Sequence, residues 1–117
     1  MMEVYDMIKE CKSDSDLIDI IENSKTKPQM LLKHSTRCPV SKTAMFELKR
    51  FAEKYDTADL WQISVLDSKE LSQKIAEETG IEHKSPQIIL FRDGKVSWNA
   101  SHHFISLGNL EKAVAES

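Results

Sequence analysis

The fold of this chain is indicated most clearly by one stretch, Ser35-Thr36-Arg37-Cys38-Pro39-Val40-Ser41. The segment before it, Gln29–His34, contains an apolar run that is typical of a short buried strand. After it, apolar residues recur at helical spacing to about residue 55. Proline suits the first position of a helix, because the amide that it lacks would have no partner there. The stretch is therefore predicted to be a turn from a strand into a helix, with Cys38 at the helix N-cap.

Working outward from this turn, strands and helices alternate along the chain. Strands are predicted at Gln29–His34, Leu60–Val65, Gln87–Arg92 and Lys95–Ala100, with helices that begin near Ser13 or Asp14, Cys38, Ser68 and Ser106. Asp93-Gly94 is typical of a tight hairpin turn between the last two strands. The alternation indicates a partly parallel sheet, to which the hairpin adds an antiparallel pair. A mixed central sheet with helices on both faces is the α/β architecture of thioredoxin, and residues 1–117 are predicted to form one such domain.

The first dozen residues fit two patterns. Val4, Met7, Ile8 and Cys11 share one helical face, whereas Tyr5, Met7 and Cys11 partly fit an alternating strand. We favour a short strand at the edge of the sheet. The helix that follows is predicted to bury an apolar stripe, formed by Leu17, Ile18, Ile20 and Ile21.

Composition narrows the classes of function. The chain has 117 residues and a net charge of -3 with both signs interspersed, which disfavours nucleic acid or a membrane surface as partner. The longest apolar runs are too short to span a bilayer, and the N-terminus has no basic start followed by an apolar run. We therefore expect a cytoplasmic protein in a reducing compartment, where two cysteines are reactive or simply buried.

The predicted position of Cys38 favours a reactive thiolate. Unpaired amides of the first helical turn, near Val40 and Ser41, and the positive end of the helix dipole would stabilise the charged sulfur. Arg37 would add a positive charge, and so would His34 if it were protonated. The alternative is that Cys38 is a small buried apolar residue, but its polar neighbours and the following proline argue against burial.

Ser41 stands where a dithiol enzyme would carry its second cysteine. Its hydroxyl can donate a hydrogen bond to the Cys38 thiolate, but it cannot form a disulfide. The motif therefore predicts a monothiol cycle, in which Cys38 accepts a thiol group from a substrate disulfide and an external thiol then releases it.

Two further segments are candidates for substrate binding. In thioredoxin-like proteins a cis-proline before a strand faces the cysteine, and Ser85-Pro86 matches that position. If that strand begins beside Cys38, its hairpin partner ends there too, which brings Ser101 and His102 to the thiol. Ser101 could bind a ligand carboxylate and His102 could protonate a sulfur, or both could lie in a solvated loop.

Other residues have simpler interpretations. Cys11 is predicted to pack in the core, with a resolving role as the alternative. The histidines show no spacing typical of a metal site, so none is predicted. Four basic residues flank the two loops that should meet at the site, namely Lys33, His34, Arg37 and Lys84. They are either a local positive field for an anionic ligand or ordinary solvated charges.

From about Leu17 to its end, the chain resembles the YtxJ-type monothiol bacilliredoxins of low-GC Gram-positive bacteria. The matching segments are residues 33–41, residues 83–87, and Trp98 with Ser101-His102. The resemblance implies a thioredoxin-fold oxidoreductase that removes bacillithiol from mixed disulfides on other proteins. Cys38 would carry over as the nucleophile, Ser41 as the serine of the motif and Pro86 as the cis-proline. Apart from the resemblance, Thr36, Arg37 and Pro39 are predicted to support Cys38 as its neighbours in the turn.

The resemblance also implies a co-substrate and partners. Bacillithiol would serve as a co-substrate rather than a bound cofactor, and bacillithiolated proteins would be the partners. Two alternatives stay open at this point. One is a thioredoxin-like stress or binding module without turnover, and the other is a glutaredoxin-like protein that uses a different small thiol.

Overall fold

A five-stranded sheet with strand order β1-β3-β2-β4-β5 organises the chain in its computed structural model, which describes residues 7–116. The elements, in chain order, are β1 (Ile8–Glu10), α1 (Asp14–Asn23), β2 (Gln29–His34), α2 (Pro39–Lys54), β3 (Asp59–Ser64), α3 (Lys69–Thr79), β4 (Gln87–Arg92), β5 (Lys95–Ser101), a 3-10 helix (His102–Phe104) and α4 (Leu107–Glu116). This order confirms the one predicted from the sequence.

Strand directions also agree with the prediction. β1, β3 and β2 are parallel, whereas β4 runs antiparallel to β2 and β5 antiparallel to β4. The β4–β5 turn places Asp93 and Gly94 at φ 57° and 80°, the left-handed backbone that a tight hairpin requires. β1 lies at the sheet edge, as favoured above, while Val4 and Tyr5 lie outside the described residues.

Helices cover both faces of the sheet, as predicted. On one face α2 and α4 bury residues such as Met30, Leu48 and Leu110, and on the other α1 and α3 bury Leu17 and Ile75. None of the helices within residues 7–116 is long and apolar enough to cross a bilayer.

The predicted stripe on α1 is wrong at one residue. Leu17 and Ile20 are buried, but Ile18 is 64% exposed. Positions 17, 20 and 21 share one side of a helix with 3.6 residues per turn, whereas position 18 is turned about 100° away from position 17. The N-cap is Ser13, whose side chain accepts a hydrogen bond from the Asp16 backbone N–H.

Candidate active site

The fold brings the predicted site segments together at one end of the strands, which we call the active edge of the sheet. β2 ends at His34 and leads into the turn before α2, while β4 begins and β5 ends beside it. Lys33 pairs with Gln87, and Gln87 pairs with Ser101, so the three strands align at this edge. β2 therefore leads to Cys38 at the same edge at which β5, the second strand of the hairpin, ends in Ser101.

Cys38 is the N-cap residue of α2, and Pro39 is its first helical residue, as predicted. The backbone of Cys38 is extended, with φ -104° and ψ 121°, so the chain turns into the helix at this residue. The side chain is partly exposed. The thiol makes no regular capping hydrogen bond of the kind that a serine makes, which leaves its sulfur available for reaction.

The first turn of α2 lowers the pKa of the Cys38 thiol below its ordinary value of 9.0. The largest contribution is the backbone N–H of Ser41, which interacts with the sulfur. Partial burial raises the pKa, and the N–H of Val40 and the Ser41 hydroxyl lower it further. The sequence predicted these amides as the stabilising groups. Their combined effect favours the thiolate, which is the nucleophilic form.

Ser41 connects the thiol to the turn that precedes it. Its side chain is fully buried, and its Oγ accepts a hydrogen bond from the Ser35 N–H at 3.2 Å. The hydroxyl hydrogen is free to donate to the Cys38 sulfur while the oxygen holds Ser35. Ser41 therefore fixes the shape of the turn as well as stabilising the thiolate.

Thr36, Arg37 and Pro39 are exposed around the thiol. Arg37 donates its backbone N–H to Ser35 Oγ at 3.3 Å, which helps to order the turn. The effect of its charge on Cys38 stays a prediction. Thr36 lines a cleft of about 340 Å³ that lies along α2, and Ser41 and Phe46 of that helix line the same cleft.

His34 does not meet the condition under which it would add a positive charge. Burial lowers the pKa of His34, and its ring Nε2 lies 2.8 Å from Gln62 Oε1 on β3. A donor is needed on that nitrogen, and the neutral ring supplies it. His34 is therefore a neutral residue that joins β2 to β3.

Lys33 is not part of the predicted cluster of basic surface residues either. Its side chain is fully buried, so it cannot belong to an exposed field around the thiol. β2 is covered on both faces, and alternate side chains point to opposite faces. A lysine at position 33 must therefore enter the face that α1 and α3 cover. Of the four basic residues, Arg37 and Lys84 are exposed.

The second segment of the site begins with a cis peptide bond between Ser85 and Pro86, as the resemblance implied. Pro86 is buried, and its carbonyl oxygen accepts a hydrogen bond from the His102 N–H at 3.0 Å. His102 is exposed, with a left-handed backbone at φ 53°. The 3-10 helix that begins at His102 also contacts α2. His102 thus bonds through its backbone to the cis-proline loop, residues 80–86, a contact that the sequence did not reveal.

The other predicted binding residues, Ser85 and Ser101, are partly buried. Ser101 is half-buried at the end of β5, and the Ser85 hydroxyl is buried with no hydrogen-bond partner among residues 7–116. Their predicted contacts with a ligand stay predictions.

Cys11 is a core residue, as its apolar pattern predicted. It is 2% exposed, and burial raises the pKa of its thiol to about 12. A protonated, buried thiol is a poor nucleophile. This environment argues against the resolving role.

Sequence reasoning matched His83 and Gln87 to the family but assigned no role to either. His83 lies 3.1 Å from the Lys33 ammonium, and the buried Gln87 donates to the Glu82 carbonyl at 3.0 Å. Lys33, which directly follows the apolar run of β2, was the signal that could have given them a role. A buried ammonium needs hydrogen-bond acceptors, and a search for acceptors would have led to this segment.

Comparisons with known proteins agree with the fold and identify the family. Residues 9–110 match the family described as monothiol bacilliredoxin BrxC. A solved structure described as an oxidoreductase with a thioredoxin fold has 29% identity and a TM-score of 0.85, and the alignment covers 97% of this chain and 98% of that chain. Thioredoxin from Fasciola hepatica has 14% identity and a TM-score of 0.76, with 92% of this chain and 97% of that chain covered. At that identity the second likeness shows the fold alone.

The fold, the N-cap thiol of α2 and the family match agree on thiol redox chemistry at the level of a thiol–disulfide oxidoreductase. The chain belongs to the monothiol bacilliredoxin family.

Proposed function

We propose that this protein removes bacillithiol from mixed disulfides on other proteins, with Cys38 as its one working thiol. The observation that carries the proposal is the first turn of α2. It stabilises a partly exposed thiolate at Cys38 and places the Ser41 hydroxyl, rather than a second thiol, beside it. The family match to monothiol bacilliredoxins favours bacillithiol as the small thiol.

The cycle has two exchanges. The Cys38 thiolate attacks the bacillithiol sulfur of a mixed disulfide, a new sulfur–sulfur bond forms, and the client cysteine leaves as a thiolate. An external thiol then attacks the bacillithiol sulfur on Cys38, so Cys38 leaves as a thiolate and the external thiol keeps bacillithiol in a disulfide. Each step exchanges one disulfide for another, so the external thiol is the reductant: the client cysteine is reduced, and the external thiol ends in a disulfide with bacillithiol.

The chain's own residues would position the substrate for these exchanges. Ser85 and Pro86 would offer backbone groups to the substrate disulfide, and Ser101 and His102 lie at the same sheet edge to receive the rest of bacillithiol. A thiol that works as a free thiolate suits a reducing compartment, so we place this activity in cytoplasmic redox homeostasis and the stress response.

Intact-mass analysis tests the choice of small thiol. The reduced protein is exposed to oxidised bacillithiol and oxidised glutathione in equal amounts. We expect the bacillithiol adduct to dominate, on Cys38. A dominant glutathione adduct would support the glutaredoxin-like alternative instead.

Release of bacillithiol from a modified client protein tests turnover. Cys38→Ala should abolish release, and Cys11→Ser should retain it, because the two thiols differ in exposure and pKa. Circular dichroism should show both variants folded. Release by Cys38→Ala would refute the proposed nucleophile, and stoichiometric binding without release by the parent would support a module without turnover.

A further inference from the structure

A buried ammonium lies behind the cis-proline loop. The Lys33 side chain is fully buried, and its Nζ donates to the Ser72 carbonyl of α3 at 3.1 Å. The same Nζ lies 3.1 Å from Nδ1 of His83. Burial lowers the pKa of Lys33 to about 8, so the ammonium is still the main form at neutral pH. Lys33 therefore joins β2 to α3 and to the connection between α3 and β4.

The contact with Lys33 determines the protonation of His83. An ammonium has only donors, so Nδ1 must accept and the ring proton must be on Nε2. Burial and the Lys33 charge both lower the pKa of His83, which favours the same neutral ring. His83 is thus held in one position and in one tautomer by a single buried donor.

Gln87 holds the same connection at the neighbouring residue. It pairs with Lys33 in the sheet and is itself buried, and its Nε2 donates to the Glu82 carbonyl at 3.0 Å. Residues 80–86 contain no helix or strand, and these side-chain contacts help to hold the middle of the segment in place. The connection ends at the cis peptide of Ser85 and Pro86.

Stability alone is a weak reason for this arrangement. Removing an ammonium from water is costly, and an apolar residue in such a site is often neutral or stabilising. A methionine would extend the apolar run of β2 that Leu31 and Leu32 already form. The ammonium instead contacts His83, two residues before the cis peptide of Ser85 and Pro86, which indicates a role in the site.

We propose that Lys33 is a positioning residue for disulfide exchange, which acts through His83 to hold residues 80–86 in the conformation that receives the substrate disulfide. The proposal rests on the function proposed above, because it assigns Ser85 and Pro86 to substrate binding. Lys33 itself touches no substrate.

Four variants separate positioning from substrate contact. Lys33→Met removes the donor at similar length, and His83→Leu removes the acceptor. His83→Asn places an amide oxygen near the position of Nδ1, whereas His83→Gln places its amide near Nε2. We expect Lys33→Met and His83→Leu to lower kcat/KM for a bacillithiolated client protein by about 10- to 100-fold, mainly through KM. His83→Asn should restore most of the activity, and His83→Gln should not.

The alkylation rate of Cys38 by iodoacetamide is the matched control. It should stay near the parental rate in all four variants, because the interactions that lower the pKa of Cys38 come from Val40 and Ser41. Parental kcat/KM in Lys33→Met would overturn the proposal. Activity in His83→Gln but not in His83→Asn would also overturn it, because His83 would then contact the substrate directly. The His83 variants keep the test valid if Lys33→Met does not fold.

Nitrogen NMR of the His83 ring gives a readout that is independent of catalysis. The parent should show the tautomer with the proton on Nε2, and Lys33→Met should show a mixture of tautomers. A parental ring with its proton on Nδ1 would overturn the proposal. If the protein released no bacillithiol from any client, the proposed function would fail, while this spectrum would still report on the Lys33–His83 contact.

Discussion

At the residue scale, Cys38 occupies a position that helices usually fill with an oxygen-bearing side chain. A serine there would use the free amides of the first turn to stabilise the helix. A thiol makes a weaker cap, so the same amides mainly stabilise its charged form. The N-terminus of α2 thus increases the reactivity of the Cys38 thiol, while the helix is capped less well than it would be by a serine.

Ser41→Ala should raise the pKa of the Cys38 thiol. The substitution removes the hydroxyl that stabilises the thiolate but leaves the backbone amides of Ser41 and Val40 in place. The pH at which iodoacetamide alkylation reaches half its maximal rate should therefore move upward, and alkylation at acidic pH should slow.

Ser13→Ala is the control for Ser41→Ala. It removes a hydroxyl from the first turn of α1, where Ser13 accepts from the Asp16 N–H. It should lower the free energy of unfolding by about 1 kcal/mol without changing the alkylation profile. An unchanged profile in Ser41→Ala would mean that the backbone amides alone stabilise the thiolate.

At the scale of elements, the first turn of α2 determines whether the cycle uses one thiol or two. The side chain at position 41 interacts with the Cys38 sulfur and is held inside the turn by Ser35. A thiol in this place would be within reach of a disulfide on Cys38 and could displace the small thiol from it.

Ser41→Cys should therefore shorten the life of the bacillithiol adduct on Cys38. The new thiolate would attack the Cys38 sulfur, form an internal disulfide and release bacillithiol as a thiol. We expect the adduct to decay roughly tenfold faster or more, because the second attack becomes intramolecular. Time-resolved intact-mass analysis measures the decay, with Ser41→Ala as the variant that cannot resolve. Adducts that persist equally in both would show that the two sulfurs cannot align.

The order of elements could be read from the sequence because each one depends on local signals. Pro39 and Gly80 mark helix ends, and Asp93-Gly94 marks the hairpin. The interactions behind the site could not be read in this way. The burial of Lys33, its acceptor His83 and the bond from His102 to Pro86 depend on contacts between residues far apart in sequence. From the local sequence a lysine is expected at the surface, but Lys33 is buried because helices cover both faces of β2.

At the scale of the whole molecule, exposed basic residues lie at both ends of the strands of the sheet. Arg37 and Lys84 are exposed on segments that lead to Cys38 and Pro86 at the active edge. Lys25 and Lys95 lie at the opposite edge, where the β4–β5 turn bonds to Ser24. The chain as a whole has a net charge of -3, so an anionic ligand approaches against a weak overall repulsion. The carboxylates of bacillithiol would make it such a ligand.

The paired substitution Arg37→Glu and Lys84→Glu should slow release of bacillithiol from a client protein more than it slows attack on a small neutral disulfide. We expect a difference of about threefold to tenfold at low salt, since local charges chiefly affect encounter. Arginine also binds carboxylates with two parallel hydrogen bonds, which the glutamate would replace with repulsion. The difference should shrink as salt rises, because exposed charges are screened.

The matched control for this pair is Lys25→Glu with Lys95→Glu, which changes net charge equally at the far edge of the sheet. If the local field at the active edge attracts the ligand, the control should slow neither reaction selectively. Equal slowing of the anionic and neutral substrates by the first pair would instead place its effect on the Cys38 thiolate. Equal selectivity in both pairs would assign the effect to net charge. Since Lys33 is buried and His34 is neutral, any selective effect at the active edge must come from Arg37 and Lys84 among the four basic residues first considered.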